Sequence, residues 1–269
     1  MSRSFTERLR AGDLLVGTLI VSPSPMWPKA LENCGLDFVF IDTEHIALDR
    51  AQVSWMCQTY ARMNLTPIVR IPSPDPFEAT KLLDGGAGGI IAPYVETAAQ
   101  AQALRGAVKL RPVKGQRLEN RLAGAAFEPE LENYVTRRNE QALILNIESV
   151  PAINALDEIL AVPGIDAVLI GPHDLSCSLG IPEQYDHPTF REAARTIFQK
   201  ARTACIGAGI HFWGDLELET GFVRDGANML IHSADISLFQ KHLRLELDTV
   251  KQMVGAQYES ATAGDRINI

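Results

Sequence analysis

The sequence predicts an α/β protein, a single (β/α)8 TIM barrel, and three observations support this fold class. Eight short runs rich in Val, Ile, Leu and Phe recur along the 269 residues, and most are apolar on both faces, as parallel strands covered by helices must be. Stretches with helical spacing separate these runs. Eight strand–helix units in roughly 250 residues match the size of such a barrel, whereas a doubly wound open sheet usually has fewer strands.

The predicted elements alternate along the chain. The strands cover residues 17–21 (GTLIV), 38–42 (FVFID), 67–71 (PIVRI), 89–93 (GIIAP), 142–148 (ALILNIE), 167–171 (AVLIG), 209–213 (GIHFW) and 228–232 (NMLIH). A helix is predicted over residues 97–109, and another over 150–162, where the apolar side chains share one face. The same spacing predicts a C-terminal helix, whose apolar face contains Leu243, Leu247, Val250 and Val254.

The connection after the fourth strand is unusually long. Between Pro93 and Ala142, the predicted helix is followed by a Pro-, Gly- and Arg-containing segment, LRPVKGQRLENRLAG. Long loops in compact domains are usually lids or partner contacts. The basic residues here form either a solvated face or a surface that reaches an anionic substrate; they are Arg105, Lys109, Arg111, Lys114, Arg117 and Arg121. We expect the barrel to span residues 1–255 and a polar tail to span 256–269.

Composition narrows the functional class. Lys plus Arg number 25 against 33 Asp plus Glu, a formal charge of −8, which argues against a nucleic-acid partner because phosphate binding depends on clustered basic residues. No apolar run approaches the ~20 residues of a membrane span, and the start lacks a signal-peptide core. The four cysteines have no metal-binding spacing and are interpreted as reduced core residues of a cytoplasmic protein. We therefore expect a protein that acts on small molecules and not one that binds nucleic acid or a membrane.

Polar residues follow several predicted strands at their carboxyl ends, where a barrel of this kind has its active site. They are Asp42, Glu44 and His45 after the second strand, Arg70 in the third, Asn146 and Glu148 in the fifth, and His173 and Asp174 after the sixth. Two carboxylates on neighbouring strands can hold a hard divalent cation, with water or substrate oxygens as the other ligands. An arginine beside them can clamp a carboxylate, and a histidine can move a proton near neutral pH.

Each of these candidates also has a structural interpretation. Glu148 can instead N-cap the following helix, and Asp174 can belong to a turn or a cap. Arg70 lies within a strand, where an unpaired guanidinium is costly, so it needs an anionic partner, either a structural ion pair or a substrate. His45 alone is more typical of a structural histidine than of a base, and its neighbours Asp42 and Glu44 favour the catalytic role only slightly.

Three further features favour structural roles. His211 and His232 lie in late strands and are interpreted as core or barrel-top packing. The segment 84–89 (DGGAGG) resembles a phosphate-binding loop, but it precedes a strand instead of joining strand to helix, so a helix C-cap and a tight turn fit better.

Five sequence blocks, in their order and spacing, resemble the HpcH/HpaI family of class II 2-oxo-acid aldolases over about residues 17–239. These blocks are GLDFVFIDTEH, PIVRIP, LLDGGAGGIIAPYV, ILNIES and GIDAVLIGPHDLS. The resemblance implies a barrel that binds pyruvate on a divalent metal, either Mg²⁺ or Mn²⁺, with Co²⁺ as a third candidate. It also implies a homo-oligomer, a trimer or hexamer.

The resemblance assigns roles to individual residues. Glu148 and Asp174 match the family's metal ligands. Arg70 matches the residue whose charge interacts with the pyruvate part of the substrate. His45 matches the catalytic base, and Asp84 the acid that raises the basicity of this histidine. The resemblance thus gives Asp84 a function, which the cap-and-turn interpretation of this segment did not.

Substrate contacts are implied at Arg70, at Asn146 and around His173 and Asp174. The family commonly has Gln at the position of Asn146 and a small residue at that of His173, so the acceptor pocket differs in shape.

The implied reaction is reversible cleavage of a 4-hydroxy-2-oxo acid to pyruvate and an aldehyde through a pyruvate enolate. No lysine at a strand end is placed for a Schiff base, which favours the metal-dependent route. Two alternatives stay open: a citrate-synthase-like or lyase-like enzyme of the same superfamily, and a non-catalytic barrel that acts as a binding or scaffold protein.

Overall fold

Eight parallel strands form a closed barrel in sequence order, with β8 paired to β1. The computed structural model describes residues 3–137 and 140–255. The strands are β1 (Leu15–Leu19), β2 (Phe38–Asp42), β3 (Thr66–Arg70), β4 (Gly89–Ala92), β5 (Ala142–Asn146), β6 (Ala167–Ile170), β7 (Gly207–Phe212) and β8 (Met229–Ala234). The predicted fold class is confirmed, and each predicted strand agrees with an observed one to within two residues at either end.

Helices connect consecutive strands and surround the barrel. Those of the described residues are α1 (Phe5–Ala11), α2 (Trp27–Leu31), α3 (Arg50–Arg62), α4 (Pro76–Asp84), α5 (Ala98–Lys109), α6 (Gly115–Leu122), α7 (Pro129–Thr136), α8 (Val150–Asn154), α9 (Leu156–Leu160), α10 (Pro172–Ser178), α11 (Pro188–Thr203), α12 (Leu216–Arg224) and α13 (Asp235–Met253). Several begin at side-chain caps, such as Thr97 for α5, whose hydroxyl accepts a hydrogen bond from the Gln100 amide.

Two predicted helical regions differ in detail. The stretch 150–162 is not one helix, because it breaks into α8 and α9 at Ala155, whose backbone leaves helical geometry (φ −91°, ψ 5°). The long connection after β4 is confirmed, but it contains the short helices α6 and α7 instead of only loop. The segment after α4 is a helix C-cap at Gly85 followed by a turn at Gly86 (φ +109°), as the sequence predicts.

The barrel has two apolar layers, because side chains alternate between its inside and its outside. The inner layer includes Leu15, Phe38, Phe40, Ile68 and Ile144. The outer layer packs the other strand faces against the helices. This double burial explains why the strands are apolar on both faces.

A buried ion-pair network joins elements at the amino-terminal end of the barrel. Asp166 is completely buried, and its Oδ2 lies 2.6 Å from Lys109 Nζ and accepts a hydrogen bond from the Leu143 amide. Arg10 pairs with the other carboxylate oxygen. The interpretation of Lys109 as part of a solvated or substrate-facing surface was therefore wrong, because this lysine is a buried structural cation.

The remaining basic residues of that segment lie nearer the surface, and three of them have acidic partners. Arg111 pairs with Asp84. Two others follow the same pattern across the connection: Arg117 pairs with Glu128, and Arg121 pairs with Glu132.

The C-terminal helix α13 leaves its apolar side chains exposed. Leu243, Leu247 and Val250 are between 41% and 56% exposed, and in α13 only Asp235 is buried. The predicted helix is confirmed, but its apolar face has no packing partner among the described residues. The predicted tail, 256–269, lies outside the described residues.

The structure also tests the predictions about the cysteines and about a membrane span. Cys57 is buried, whereas Cys34, Cys177 and Cys205 are exposed, so the expectation of core cysteines was wrong for these three. In the described ranges, no helix has the length and apolar character needed to cross a membrane.

Candidate active site

A cavity of ≈360 Å³ opens at the carboxyl ends of the strands. Four of the polar strand-end residues that the sequence singles out line it, from β2, β3 and β6: His45, Arg70, His173 and Asp174. The wall contains His45, Arg70, Gly171, Pro172, His173, Asp174, Glu183, Tyr185, His211 and Trp213.

Glu148 lies just beyond β5 and is almost fully buried. Its Oε1 accepts a hydrogen bond from the Tyr94 amide, and its Oε2 accepts one from Asn146 Nδ2, each at 2.8 Å. Burial, with the negative charge of Asp174 adding to it, raises the pKa of Glu148 to about 7 despite these hydrogen bonds. Ser149, not Glu148, caps α8, so the N-cap interpretation does not apply.

Gly171 separates the two carboxylates. A Cβ atom at this position would lie 2.7 Å from Glu148 Oε2 and 3.5 Å from Asp174 Oδ2, so both oxygens face the space that glycine leaves open. Asp174 is in the first turn of α10, which has no side-chain cap. The structure thus brings together the two residues that the resemblance identifies as ligands.

This pair suits a hard divalent cation. Among the described residues, no group of three or more His, Cys, Asp or Glu side chains could hold a metal, so a resident ion would take its remaining ligands from water or substrate, as Mg²⁺ commonly does. Nearby, the Oδ1 atom of Asn146 is buried without a hydrogen-bond partner. A buried carboxylate with a raised pKa and an unpaired acceptor indicate a site that lacks a positive or hydrogen-bonding partner.

Arg70, at the end of β3, is held by carboxylates from β2. Its Nε and Nη2 donate to Asp42 at 2.9 Å and 2.6 Å, and its Nη1 lies 3.1 Å from Glu44 Oε2. Burial alone would raise the pKa of Asp42, but the hydrogen bonds and charge of Arg70 outweigh it and lower that pKa. The structural ion pair is therefore present. A guanidinium has five N–H donors, so Arg70 also keeps donors for the cavity that it lines.

Tyr94 connects two of these carboxylates and was not predicted. Besides its amide bond to Glu148, its hydroxyl bonds to Glu44, which together with partial burial raises the pKa of Tyr94 to about 12. Its backbone has a positive φ of 54°, a conformation that non-glycine residues adopt mainly where surrounding contacts hold them. The available sequence signal was its position two residues after β4.

His45 and Asp84 are not brought together within the chain. His45 follows β2 at the mouth, with Nε2 3.8 Å from Glu44 Oε2. Asp84 is the last residue of α4, which returns from the mouth to the opposite end of the barrel, and its carboxylate pairs with Arg111. The structure thus does not place Asp84 beside His45 within one chain, and the role that the resemblance implies for Asp84 stays a prediction.

Comparison with known proteins identifies the family. A family profile described as HpcH/HpaI aldolase/citrate lyase matches residues 20–241. The chain belongs to this family. It is 31% identical over 248 residues to the hydroxypyruvate/pyruvate aldolase of Roseovarius nubinhibens, an alignment that covers 91% of this chain and 96% of that protein.

Further relatives extend over the same length. The chain is 31% identical to the 2-keto-3-deoxy-L-rhamnonate aldolase of Escherichia coli K12, with 99% and 97% coverage. The crystal structure of an HpcH/HpaI aldolase from Desulfitobacterium hafniense matches with a TM-score of 0.80 at 28% identity, covering 93% of this chain and 98% of that one. Citrate synthase SbnG matches with a TM-score of 0.79 at 28% identity, covering 94% and 99%. The aldolase relatives identify this member of the HpcH/HpaI family as a carbon–carbon lyase.

The two late-strand histidines have different surroundings in this family member. His211 lines the cavity, and its Nε2 lies 3.2 Å from the Ser233 carbonyl oxygen. His232 Nδ1 lies 2.8 Å and 2.9 Å from the two carboxylate oxygens of Glu219. His232 also borders a neighbouring cleft of ≈680 Å³, which shares Glu183, Tyr185 and Trp213 with the first cavity.

Proposed function

We propose that this protein is a divalent-metal-dependent class II aldolase that reversibly cleaves a 4-hydroxy-2-oxo acid to pyruvate and an aldehyde. The observation that carries the proposal is the pair of carboxylates, Glu148 and Asp174, which face one open space beside Gly171. Arg70 and His45 line the same cavity. A cation site, a fixed positive charge and a basic side chain are the groups that an enolate-forming cleavage needs.

Glu148 and Asp174 would hold the cation, either Mg²⁺ or Mn²⁺ with Co²⁺ as a third candidate. Lewis-acid stabilisation of negative charge on the 2-oxo oxygen is the chemistry that such an ion supplies when bound, worth several kcal/mol. Glu148 is held for this task by two hydrogen bonds, from the Tyr94 amide and from Asn146. These bonds orient both of its oxygens, so little reorganisation accompanies binding.

His45 and Arg70 carry out the remaining steps. His45 accepts the proton of the 4-hydroxyl as the C3–C4 bond breaks, and the electron pair of that bond stays with C3 as the pyruvate enolate. The 4-hydroxyl carbon becomes the aldehyde. The Arg70 donors that Asp42 does not use hold the substrate oxygens on which charge develops. Transfer of that proton from His45 to C3 then gives pyruvate and restores the base, and the reverse sequence adds pyruvate to an aldehyde.

A citrate-synthase-like reaction is the second candidate. The fold similarity to citrate synthase SbnG supports it, and a strongly basic acceptor site would favour it. However, Arg111, Arg117 and Arg121 are each paired with a carboxylate of this chain. Because these cations already have partners, the aldolase reaction is the better-supported proposal.

The family role of Asp84 leads us to propose that it acts between copies of the chain. Asp84 is exposed at the end of α4, away from His45 of its own barrel, so it would reach His45 only of another subunit. The exposed apolar face of α13 supports a homo-oligomer, in which that face is covered. Trimers and hexamers are the expected assemblies.

Mixing two variants, each of which lacks one member of the pair, tests this arrangement. Co-expressed His45→Ala and Asp84→Ala chains form some sites that receive both native residues if the pair is intersubunit, so mixed oligomers regain activity above either parent. No recovery in oligomers that contain both chains, as determined by mass spectrometry, would contradict the proposal.

Exchange of the pyruvate methyl protons in heavy water tests the reaction itself. With Mg²⁺ or Mn²⁺, the protein is expected to exchange these protons without an aldehyde, because the enolate forms from pyruvate alone. His45→Ala should still bind pyruvate but exchange it about 10²–10⁴-fold more slowly, the range for loss of a general base. Exchange at the wild-type rate in this variant would assign the proton transfer to another group, with His173 the neighbouring candidate. A wild-type protein that exchanges no methyl protons would contradict the proposal of an enolate-forming aldolase.

A cytoplasmic location is also proposed. It is supported by the four unpaired cysteines, three of them exposed, since exposed thiols persist in a reducing compartment.

A further inference from the structure

His211 occupies a position on the cavity floor that the proposed mechanism does not use. Its ring packs edge-to-face against Phe40 at 5.6 Å and against Trp213 at 5.1 Å between ring centroids. The Arg70 guanidinium lies 5.5 Å from the same Phe40 ring. His211 and Arg70 therefore share one aromatic support, and a substrate held by Arg70 lies beside the imidazole.

The hydrogen bond to β8 determines which ring nitrogen carries the proton. Nε2 lies 3.2 Å from the backbone oxygen of Ser233, and a carbonyl oxygen only accepts, so Nε2 is the N–H donor. Burial, reinforced by the positive charge of Arg70, lowers the pKa of His211 to about 4, so the ring is neutral at neutral pH. Nδ1 consequently presents a lone pair.

This lone pair faces the cavity. Nδ1 has no hydrogen-bond partner in the described part of the chain and is not one of its enclosed polar atoms without a partner, and His211 lines the cavity wall. The two carboxylates that the mechanism uses, Glu148 and Asp174, are acceptors, and Arg70 directs its Nε and Nη2 donors to Asp42. Nδ1 is therefore available to accept a hydrogen bond from a molecule bound in the cavity.

We propose that His211 Nδ1 accepts a hydrogen bond from a hydroxyl group of the substrate and so makes the enzyme prefer hydroxylated substrates over their deoxy analogues. The proposal rests on the proposed aldolase function. The hydroxyl has two chemical sources: the C3 hydroxyl of a hydroxypyruvate donor, or a hydroxyl of the acceptor aldehyde. A site built to bond a hydroxyl discriminates strongly against analogues that lack it, because its polar group is then left unpaired.

Two amide substitutions separate the acceptor role from a structural one. The terminal amide of His211→Gln overlies Nε2, so it keeps the donor to Ser233 but loses the acceptor at the Nδ1 position. The shorter His211→Asn places an acceptor near Nδ1 and loses the bond to Ser233. If His211 only supports the fold, Gln is the better replacement; if it binds a hydroxyl, Asn is.

Steady-state kinetics with the Mn²⁺-loaded protein provide the test, in two arms. In the first arm, propanal is the acceptor and the kcat/KM ratio of hydroxypyruvate to pyruvate is measured. In the second, pyruvate is the donor and glycolaldehyde is compared with acetaldehyde. We expect His211→Gln to lower the hydroxylated-to-deoxy ratio by about tenfold in one arm, which identifies the source of the hydroxyl. His211→Asn should restore most of that ratio.

Ratios within about twofold of wild type in both arms for His211→Gln would overturn the proposal, since Nδ1 would then meet only solvent. Equal losses of the ratio in Gln and Asn variants would also overturn it, because the loss would follow from disturbed packing. A wild-type protein with no turnover of either donor would refute the aldolase function itself, and the His211 proposal with it.

Discussion

The two ends of the barrel both bury charged side chains, and they differ in how completely those charges are paired. At the amino-terminal end, Asp166 contacts Lys109, Arg10 and the Leu143 amide, so each oxygen has a partner. At the carboxyl end, Glu148 accepts two hydrogen bonds but forms no ion pair within the described residues, and its pKa rises to about 7. The same barrel thus has a closed electrostatic site at its base and an open one at its mouth.

This difference shows how a (β/α)8 barrel separates stability from chemistry. A paired buried charge stabilises the fold only as long as both partners are present. An unpaired buried carboxylate costs folding free energy, and that cost is recovered when a cation binds. Arg70 belongs partly to each class, because it is paired with Asp42 yet lines the cavity.

The largest expected effect is on activity at the mouth. Glu148→Gln keeps the shape of the side chain but removes the charge that would hold the cation, so we expect metal-dependent turnover to fall about 10³-fold. The free energy of unfolding of the metal-free protein should stay constant or rise at neutral pH, because a carboxylate with a raised pKa destabilises the fold wherever it is ionised. Mn²⁺ titration calorimetry and thermal melts measure the two effects.

Glu158→Gln is the matched control, since it makes the same change on an exposed surface and should alter neither property. Wild-type Mn²⁺ affinity in Glu148→Gln would remove this residue from the ligand set. A large loss of stability would instead mean that the charge of Glu148 stabilises the fold, as the paired charge of Asp166 does at the base.

The next effect is on stability at the base. Asp166→Asn leaves Lys109 and Arg10 without a carboxylate, and breaking a buried pair typically costs about 3–5 kcal/mol. The activity of the folded fraction should match wild type. Urea unfolding gives the cost, and Asp157→Asn, which removes the partner of Lys200 in an exposed pair, should change the free energy of unfolding by less than about 1 kcal/mol. A similar cost in both variants would mean that burial of the network contributes little.

Arg70→Lys is expected to affect both properties, less strongly than the two preceding changes. Lysine keeps the charge but loses the two-point contact with Asp42, so we expect a loss of about 1–2 kcal/mol of stability and of about 10–100-fold in kcat/KM. Arg8→Lys, whose arginine pairs with Asp37 at the base, is the control and should leave kcat/KM unchanged. A fall in stability with wild-type kcat/KM in Arg70→Lys would make this ion pair purely structural.

The sequence predicts the barrel and the mouth residues on its β-strands well, because apolar runs determine strands and strand ends determine where polar groups meet. It predicts less where the outcome depends on distant contacts. The break at Ala155 is one residue wide and leaves the apolar spacing intact. Lys109 resembles any helical lysine until the fold brings Asp166 beside it.

The site predictions have the same physical limit. Asp84 was assigned by resemblance alone, and only the path of α4 reveals that it faces away from the mouth of its own barrel. The involvement of Tyr94 depends on a positive φ that turns its amide toward Glu148, and sequence spacing carries no sign of it. His211 was interpreted as packing, although its cavity-facing nitrogen follows from a bond to the neighbouring strand.

The smallest expected effect concerns a closed pair near the mouth, formed by His232 and Glu219. Hydrogen bonding to the nearly buried Glu219 carboxylate raises the pKa of His232 above its ordinary 6.5, so the folded state binds more protons than the unfolded chain above pH 6.5. The pair therefore stabilises the protein fully below pH 6.5, and this contribution is lost as the pH rises through the folded-state pKa. Because a third of the His232 side chain is exposed, we expect the pair to contribute no more than about 1 kcal/mol to the free energy of unfolding.

Urea unfolding of wild type and of Glu219→Gln at about pH 6 and about pH 9 measures this contribution. Wild type should be more stable than the variant at the lower pH, and the stability difference between the two proteins should shrink at the higher pH. A stability difference that is independent of pH would mean that Glu219 stabilises the fold without the charge of His232. The contrast between Glu219, with its ion-pair partner, and Glu148, without one, would then not depend on that partner.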